Sequence, residues 1–171
     1  MHASVLAAPT ALILLLSACS SGEPASVPST NEVQTSGASV QQFASVIAES
    51  RGDVDDWLAD WHEATCSTLA TESGDPTCQA LLLGGGLTAE TAKLKIEGAT
   101  KPGVPAYIGE PPEEIAIIWG ATEKVAVAAA DAGEALPDDC SADSECVKKV
   151  FAFVTAMEDL QSKYDAWEPY M

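Results

Sequence analysis

His62 sits in the run Asp53-Val-Asp-Asp-Trp-Leu-Ala-Asp-Trp-His-Glu63, the part of the chain richest in groups that could ligate a metal. On a helix, Asp56, Asp60 and Glu63 fall on one face at steps of four and three, with His62 adjacent. Carboxylates three and four apart converge, so a divalent ion is the chemistry to weigh. No glycine-punctuated calcium loop accompanies them, and a single helix supplies few ligands. The expected state is a solvated acidic face, with Asp56, Asp60, His62 and Glu63 only weak metal candidates and no metal centre assigned. A second set of reactive groups is Cys66, Cys78, Cys140 and Cys146, an even number without a Cys-x2-Cys knuckle. That pattern suits two disulfides better than a four-thiolate zinc site.

Catalysis has little to work with. There is no Gly-x-Ser-x-Gly elbow, and His62 has no evident group to orient it as a base. Gly84-Gly85-Gly86 lacks the Gly-Lys-Ser/Thr of a phosphate loop. Carboxylate pairs such as Glu113-Glu114 and Asp138-Asp139 occur in any chain this acidic and carry no information about general acid chemistry. The expectation is a protein that is not an enzyme and needs no cofactor. With 26 acidic and 8 basic residues, only one of them Arg, the chain has no basic stripe for phosphates, so nucleic acid is not an expected partner. A hydrophobic content of 47% excludes disorder along the whole length.

The elements that position these groups read as helices. Cys146, Val150, Phe153, Met157, Leu160, Tyr164 and Trp167 follow one another at steps of four and three, with Val147 and Val154 widening the stripe. Ser141 or Asp143 suits the start of this helix and Pro169 its end. A second seam runs through Val40, Phe43, Ile47, Ser50, Val54, Trp57, Trp61 and Ala64, with Gly52 a point where it could break. A third carries Ile115, Ile118, Trp119, Thr122, Ala126, Ala129 and Leu136, entered through Pro111-Pro112 and Glu113-Glu114. From Asp75-Pro76 to Ile96 the pattern is weakest, because each interior glycine of the triplet costs about 1 kcal/mol relative to Ala. A break there is favoured over an unbroken helix whose glycines admit a close approach beneath a Trp.

Turns at roughly 67–75, 99–112 and 137–141 then give an all-α, up-down bundle of about four helices. Its connectivity brings all four cysteines to one end. Any of the three pairings is sterically open, and the local pairs Cys66–Cys78 and Cys140–Cys146 need the least rearrangement of the chain. The segment Lys101 to Pro112 holds four prolines and is long for a bundle connection. Val104, Tyr107 and Ile108 in that loop, with Trp167 and Tyr170 beside it, are candidate interaction residues. The alternative is that these aromatics seal the end of the bundle.

Ahead of the bundle, residues 3–18 are almost wholly apolar and uncharged, too short for a spanning helix and interrupted by Pro9. They read as an export signal. Leu16-Ser17-Ala18-Cys19 resembles the lipobox of bacterial lipoproteins, and the leader and tether look like those of actinobacterial members. The resemblance implies cleavage before Cys19, a diacylglyceryl group on its thiol, and a further acyl chain such as palmitate on the new amino terminus. It covers residues 1 to about 39. The first ten residues hold His2 but no Lys or Arg, a departure from the usual basic start that is expected if the true start lies upstream of Met1.

Of residues 20–39, 12 are Ser, Thr, Gly or Pro, the composition of a flexible tether. The organisation expected is a signal over 1–18, a lipidated Cys19 and tether over 19–39, and an acidic helical domain over 40–171. That domain holds 24 acidic and 8 basic side chains, a formal charge of −16. The functional expectation is an exported protein on the outer face of the cytoplasmic membrane or the cell surface, anchored to the membrane through the lipid on Cys19. It acts by contact with an envelope protein whose identity is open. At this resolution it is similar to prophage-encoded exclusion lipoproteins and to envelope accessory proteins. A ligand- or metal-binding lipoprotein, using the bundle interior or the stripe around Asp56, is the alternative.

Overall fold

The computed structural model describes residues 37–137, 140 and 144–171. Leu16 to Cys19, with the rest of the signal and most of the tether, lie outside the described residues, as do Asp138, Asp139, Ser141 and Asp143. The described chain is all-helical: α1 (Val40–Glu63), α2 (Thr68–Glu72), α3 (Pro76–Thr100), α4 (Glu113–Glu134), α5 (Ser144–Asp165) and a final 3-10 turn (Glu168–Tyr170). The four long helices form an up-down bundle in which α1 packs on α3, α3 on α4, α4 on α5, and α5 back on α1.

Each boundary has a local cause. Ser39 and Gln42 form a reciprocal capping box, the Gln42 side chain accepting from the Ser39 N–H at 2.8 Å and the Ser39 hydroxyl from the Gln42 N–H at 3.3 Å. At the other end of α1, Thr65 donates to the His62 carbonyl and Cys66 to the Trp61 carbonyl, a Schellman turn with Thr65 in the left-handed region at φ 53°. The stretch 67–75, expected to be a plain turn, contains α2, capped by Ser67 and ended by a second Schellman turn at Gly74. Asp75 then caps α3, accepting from Thr77 and Cys78, with Pro76 at the first helical position. Glu113 and Glu114 occupy the first turn of α4, where carboxylates suit the helix dipole.

Two expected weak points are continuous helix. Gly52 leaves α1 unbroken, because the seam residues on either side of it, Ser50 and Val54, are both buried. The favoured break at Gly84–Gly86 is corrected by the structure, since α3 runs through all three glycines. A β-carbon on Gly85 would lie 2.5 Å from the Trp57 ring, and one on Gly133 would lie 3.1 Å from Gly86 Cα. Glycine is therefore required at Gly85 by the Trp57 ring that crosses α3, and at Gly133 by the close approach of α4 to α3, and that packing outweighs the lost helix propensity. Trp57 lies across Gly85, donates its indole N–H to the Leu81 carbonyl at 2.7 Å, and meets Phe153 edge-on at 5.3 Å.

The core is uneven. Large side chains come from α1 and α5: Phe43, Ile47, Trp57, Trp61, Phe153, Met157, Leu160 and Tyr164 are all buried. α3 and α4 add Leu82, Ile96, Ile115 and Trp119, and between them the buried alanines Ala89, Ala92, Ala99, Ala126 and Ala129 let this pair approach closely. The thiols are paired as Cys66–Cys78 and Cys140–Cys146, each with 5.4 Å between Cα atoms, at the end where α1 finishes and α3 starts.

Candidate functional site

The acidic stripe is solvated. Asp56, Asp60, His62 and Glu63 are all exposed on the last turns of α1. Their neighbours are already engaged: Asp53 pairs with Lys95 of α3 at 3.2 Å, and Asp55 accepts from Gln161 at 2.6 Å and faces Arg51 at 3.4 Å. Asp53, Asp56 and Asp60 edge a shallow, open depression against Thr88 and Thr91 of α3. Among the described residues no three His, Cys, Asp or Glu side chains come together as metal ligands. The thiols that a zinc site would need are consumed in disulfides.

The loop after α3 is held in place. Ile108 and Gly109 both donate to the Ala99 carbonyl, at 2.7 and 3.2 Å, folding 101–109 back over the last turn of α3. Val104 is half-buried, Ile108 packs against the core, and Tyr107 is 43% exposed. Gly109, at φ 140°, lies close to Ala38 just ahead of α1, where an added β-carbon would come within 3.1 Å of the Ala38 Cβ.

Trp167 is corrected as an interaction residue, because it is fully buried. Its N–H donates to the Thr122 hydroxyl at 3.0 Å, and its ring meets Trp119 and Tyr170 edge-on at 5.9 and 5.7 Å. Tyr170 is half-buried against it. Phe43 completes the series on Trp119 at 4.6 Å. These rings close the end of the bundle, and of the five expected contact residues Tyr107 alone is exposed. Nearby, burial pushes the Tyr164 phenol above its ordinary value, and the Ser50 hydroxyl draws it partly back.

One concavity was not among the sequence expectations. It is a cleft of about 570 Å³ between α3 and α4. Leu83, Leu87 and Leu136 wall it, and Gly86 and Gly133 form its floor where the two helices nearly touch. Glu90, Lys93 and Glu134 stand on its rim. Leu83 and Leu87 are 57% and 72% exposed, unusual for leucines on a helix whose other face is core. The Glu90 carboxylate, at 3.2 Å, holds the Lys93 ammonium above its ordinary value, with Glu97 and Asp131 adding to the effect. A signal was present in the sequence: Leu81-Leu82-Leu83 spreads over about 200° of a helix, so one leucine must leave the core face, and Leu87 stands one turn above it.

No protein-family model, curated protein or solved structure matches the chain. Among the described residues no helix is long and apolar enough to cross a membrane.

Proposed function

We propose that this is an exported, lipid-anchored, non-enzymatic helical protein that acts by protein contact at the cell envelope. The observation that carries the contact role is a disulfide-stapled acidic body whose α3 bears three largely exposed leucines at steps of four and seven, Leu83, Leu87 and Leu94, at 57%, 72% and 58%. Exposed apolar side chains grouped on a rigid scaffold mark contact surfaces. Export is supported by the two disulfides, which persist in oxidising compartments. Anchoring is supported by Leu16-Ser17-Ala18-Cys19 and the Ser/Thr/Gly/Pro-rich stretch after it. Two roles of this kind are exclusion of other phages by a prophage product and assistance to an envelope assembly.

The alternative, a ligand or metal held in the bundle interior or on the acidic stripe, draws less support. Aromatic and aliphatic side chains occupy the interior, and Asp56 and Asp60 are exposed and spread along one helix. The deciding experiment is fractionation of cells expressing the wild-type chain and a Cys19→Ala variant. The wild type is expected in the membrane fraction and the variant in the soluble exported fraction; retention of the variant in the membrane overturns the anchor.

A further inference from the structure

We propose that the cleft between α3 and α4 receives a basic amphipathic helix from a partner protein. Apolar residues of that helix would seat against Leu83, Leu87 and Leu136, and its Lys or Arg side chains would pair with Glu90 and Glu134. This inference rests on the contact role proposed above and names its surface and the chemistry of the partner.

The shape argues for a helix. At about 100° per residue, Leu83, Leu87, Glu90 and Leu94 share an arc of roughly 60° along the crest of α3. From Leu83 to Leu94 the crest rises for about 16 Å, three helical turns. Leu94, like Leu83 and Leu87, is largely exposed at 58%. Beside the crest the surface drops to the Gly86–Gly133 contact, and Leu136 forms the opposite wall. A groove between two helices with apolar side chains at steps of four and seven is the surface on which an amphipathic helix docks.

The charge selects which helix. Glu90 and Glu134 line the cleft with Lys93 as the one cation among its lining residues, Lys93 is already paired with Glu90, and the charges of Glu97 and Asp131 also reach it. The domain from residue 40 onward carries 24 acidic and 8 basic side chains. A second copy of this chain would bring the same negative charge to the cleft, and an anionic leaflet would repel it equally. A basic helix meets an attractive field at long range and carboxylates on contact.

The test uses the purified full chain and a labelled 18-residue Leu/Lys peptide with its leucines on one helical face. Two controls are the same composition scrambled so that no apolar face forms, and a Leu/Glu peptide of the same pattern. Anisotropy titration is expected to show binding of the first peptide alone, weakening as salt is raised. The pair Leu83→Ser and Leu87→Ser, made at exposed positions and checked for unchanged melting, is expected to weaken binding by about tenfold. Glu134→Gln is expected to weaken it by about threefold at low salt. Ile117→Ser, on α4 and outside the cleft, should leave it unchanged.

Equal binding of the scrambled peptide overturns the proposal, since it shows charge attraction without a groove. So does unchanged affinity in the leucine pair, or self-association through the cleft that the peptide does not displace. In intact cells, photo-crosslinks from Ile117 or Tyr107 with none from Leu87 overturn the cleft while leaving the contact role standing. A partner crosslinked from Leu87 whose attached segment is a basic amphipathic helix supports both.

Discussion

At the end of the bundle where α1 begins, Phe43, Trp119, Trp167 and Tyr170 pack ring against ring, drawing together α1, α4 and the chain beyond α5. Toward the other end a second stack, Trp61 on Trp57 and Trp57 on Phe153 at 5.6 and 5.3 Å, joins α1 to α5, and there the chain is also tied by Cys66–Cys78 and Cys140–Cys146. The first closure is long-range: Trp167 and Thr122 are hydrogen-bonded across 45 residues. The second is local, its bridges spanning 12 and 6 residues. Ring packing stabilises the folded state by burying area between distant elements, whereas short disulfide loops act chiefly by restricting the unfolded chain. One end therefore closes by tertiary contact alone, and the other adds to its tertiary contact covalent limits on what the chain can do when open. The cleft, with Leu83, Leu87 and Leu136 in its walls, lies toward the second end.

The largest effect expected from breaking this contrast is at Trp167. Trp167→Ala removes a fully buried indole and leaves Thr122 without its donor, and a loss of about 3–5 kcal/mol in denaturant unfolding is expected. Trp167→Phe keeps most of the buried area but not the N–H, and separates packing from the hydrogen bond, which is worth about 1 kcal/mol. Arg51, the chain's one arginine, bridges Asp165 at 2.7 Å and Glu168 at 3.4 Å on the surface of the same end. Exposed pairs of this kind contribute little beside an indole.

Next in size is the opposite end. Replacing Cys66 and Cys78 together by Ser is expected to cost about 2–3 kcal/mol, from loop closure over a dozen residues. Because the effect works through the unfolded chain, the denaturant slope should rise as that chain expands. Trp167→Ala should lower the midpoint with the slope unchanged, and the two slopes side by side test whether the two ends are held in different ways.

How much of this was legible in the sequence follows from whether the cause is local. The seam from Cys146 to Trp167 is buried along its length because steps of four and three place side chains on one helix face whatever the partner is. Connectivity left all three disulfide pairings open, and the observed local pairs are the ones that need the least rearrangement of the chain. The course of α3 was legible only as the less favoured alternative, because the penalty of three glycines is written in the sequence while the reason to accept it lies in the ring of Trp57, 28 residues away from Gly85. Trp167 carried two conflicting signals, a place on the seam and a place near the chain end among exposed residues, and burial of its ring against Trp119 resolves them. α2 escaped notice because five residues are too few for a periodic pattern.

The smallest expected effect has the opposite sign. Thr65 occupies the left-handed position of the turn that ends α1 and leads directly into Cys66, at φ 53°, where a β-branched residue is strained by its own side chain. Gly74 fills the matching position of the next turn without that strain. The Thr65 hydroxyl makes one short contact, to the Ala64 carbonyl at 2.7 Å, and the residue is exposed, so little packing is lost with its side chain. Thr65→Gly is therefore expected to raise stability by about 0.5–1 kcal/mol, net of the entropy glycine adds to the unfolded chain. If the disulfide already holds the turn by limiting the open chain, the gain should be the same with Cys66 and Cys78 present or replaced by Ser. A larger gain in the Ser background would mean that the bridge acts on the folded turn as well, and would bring the two ends closer in kind than their geometry suggests.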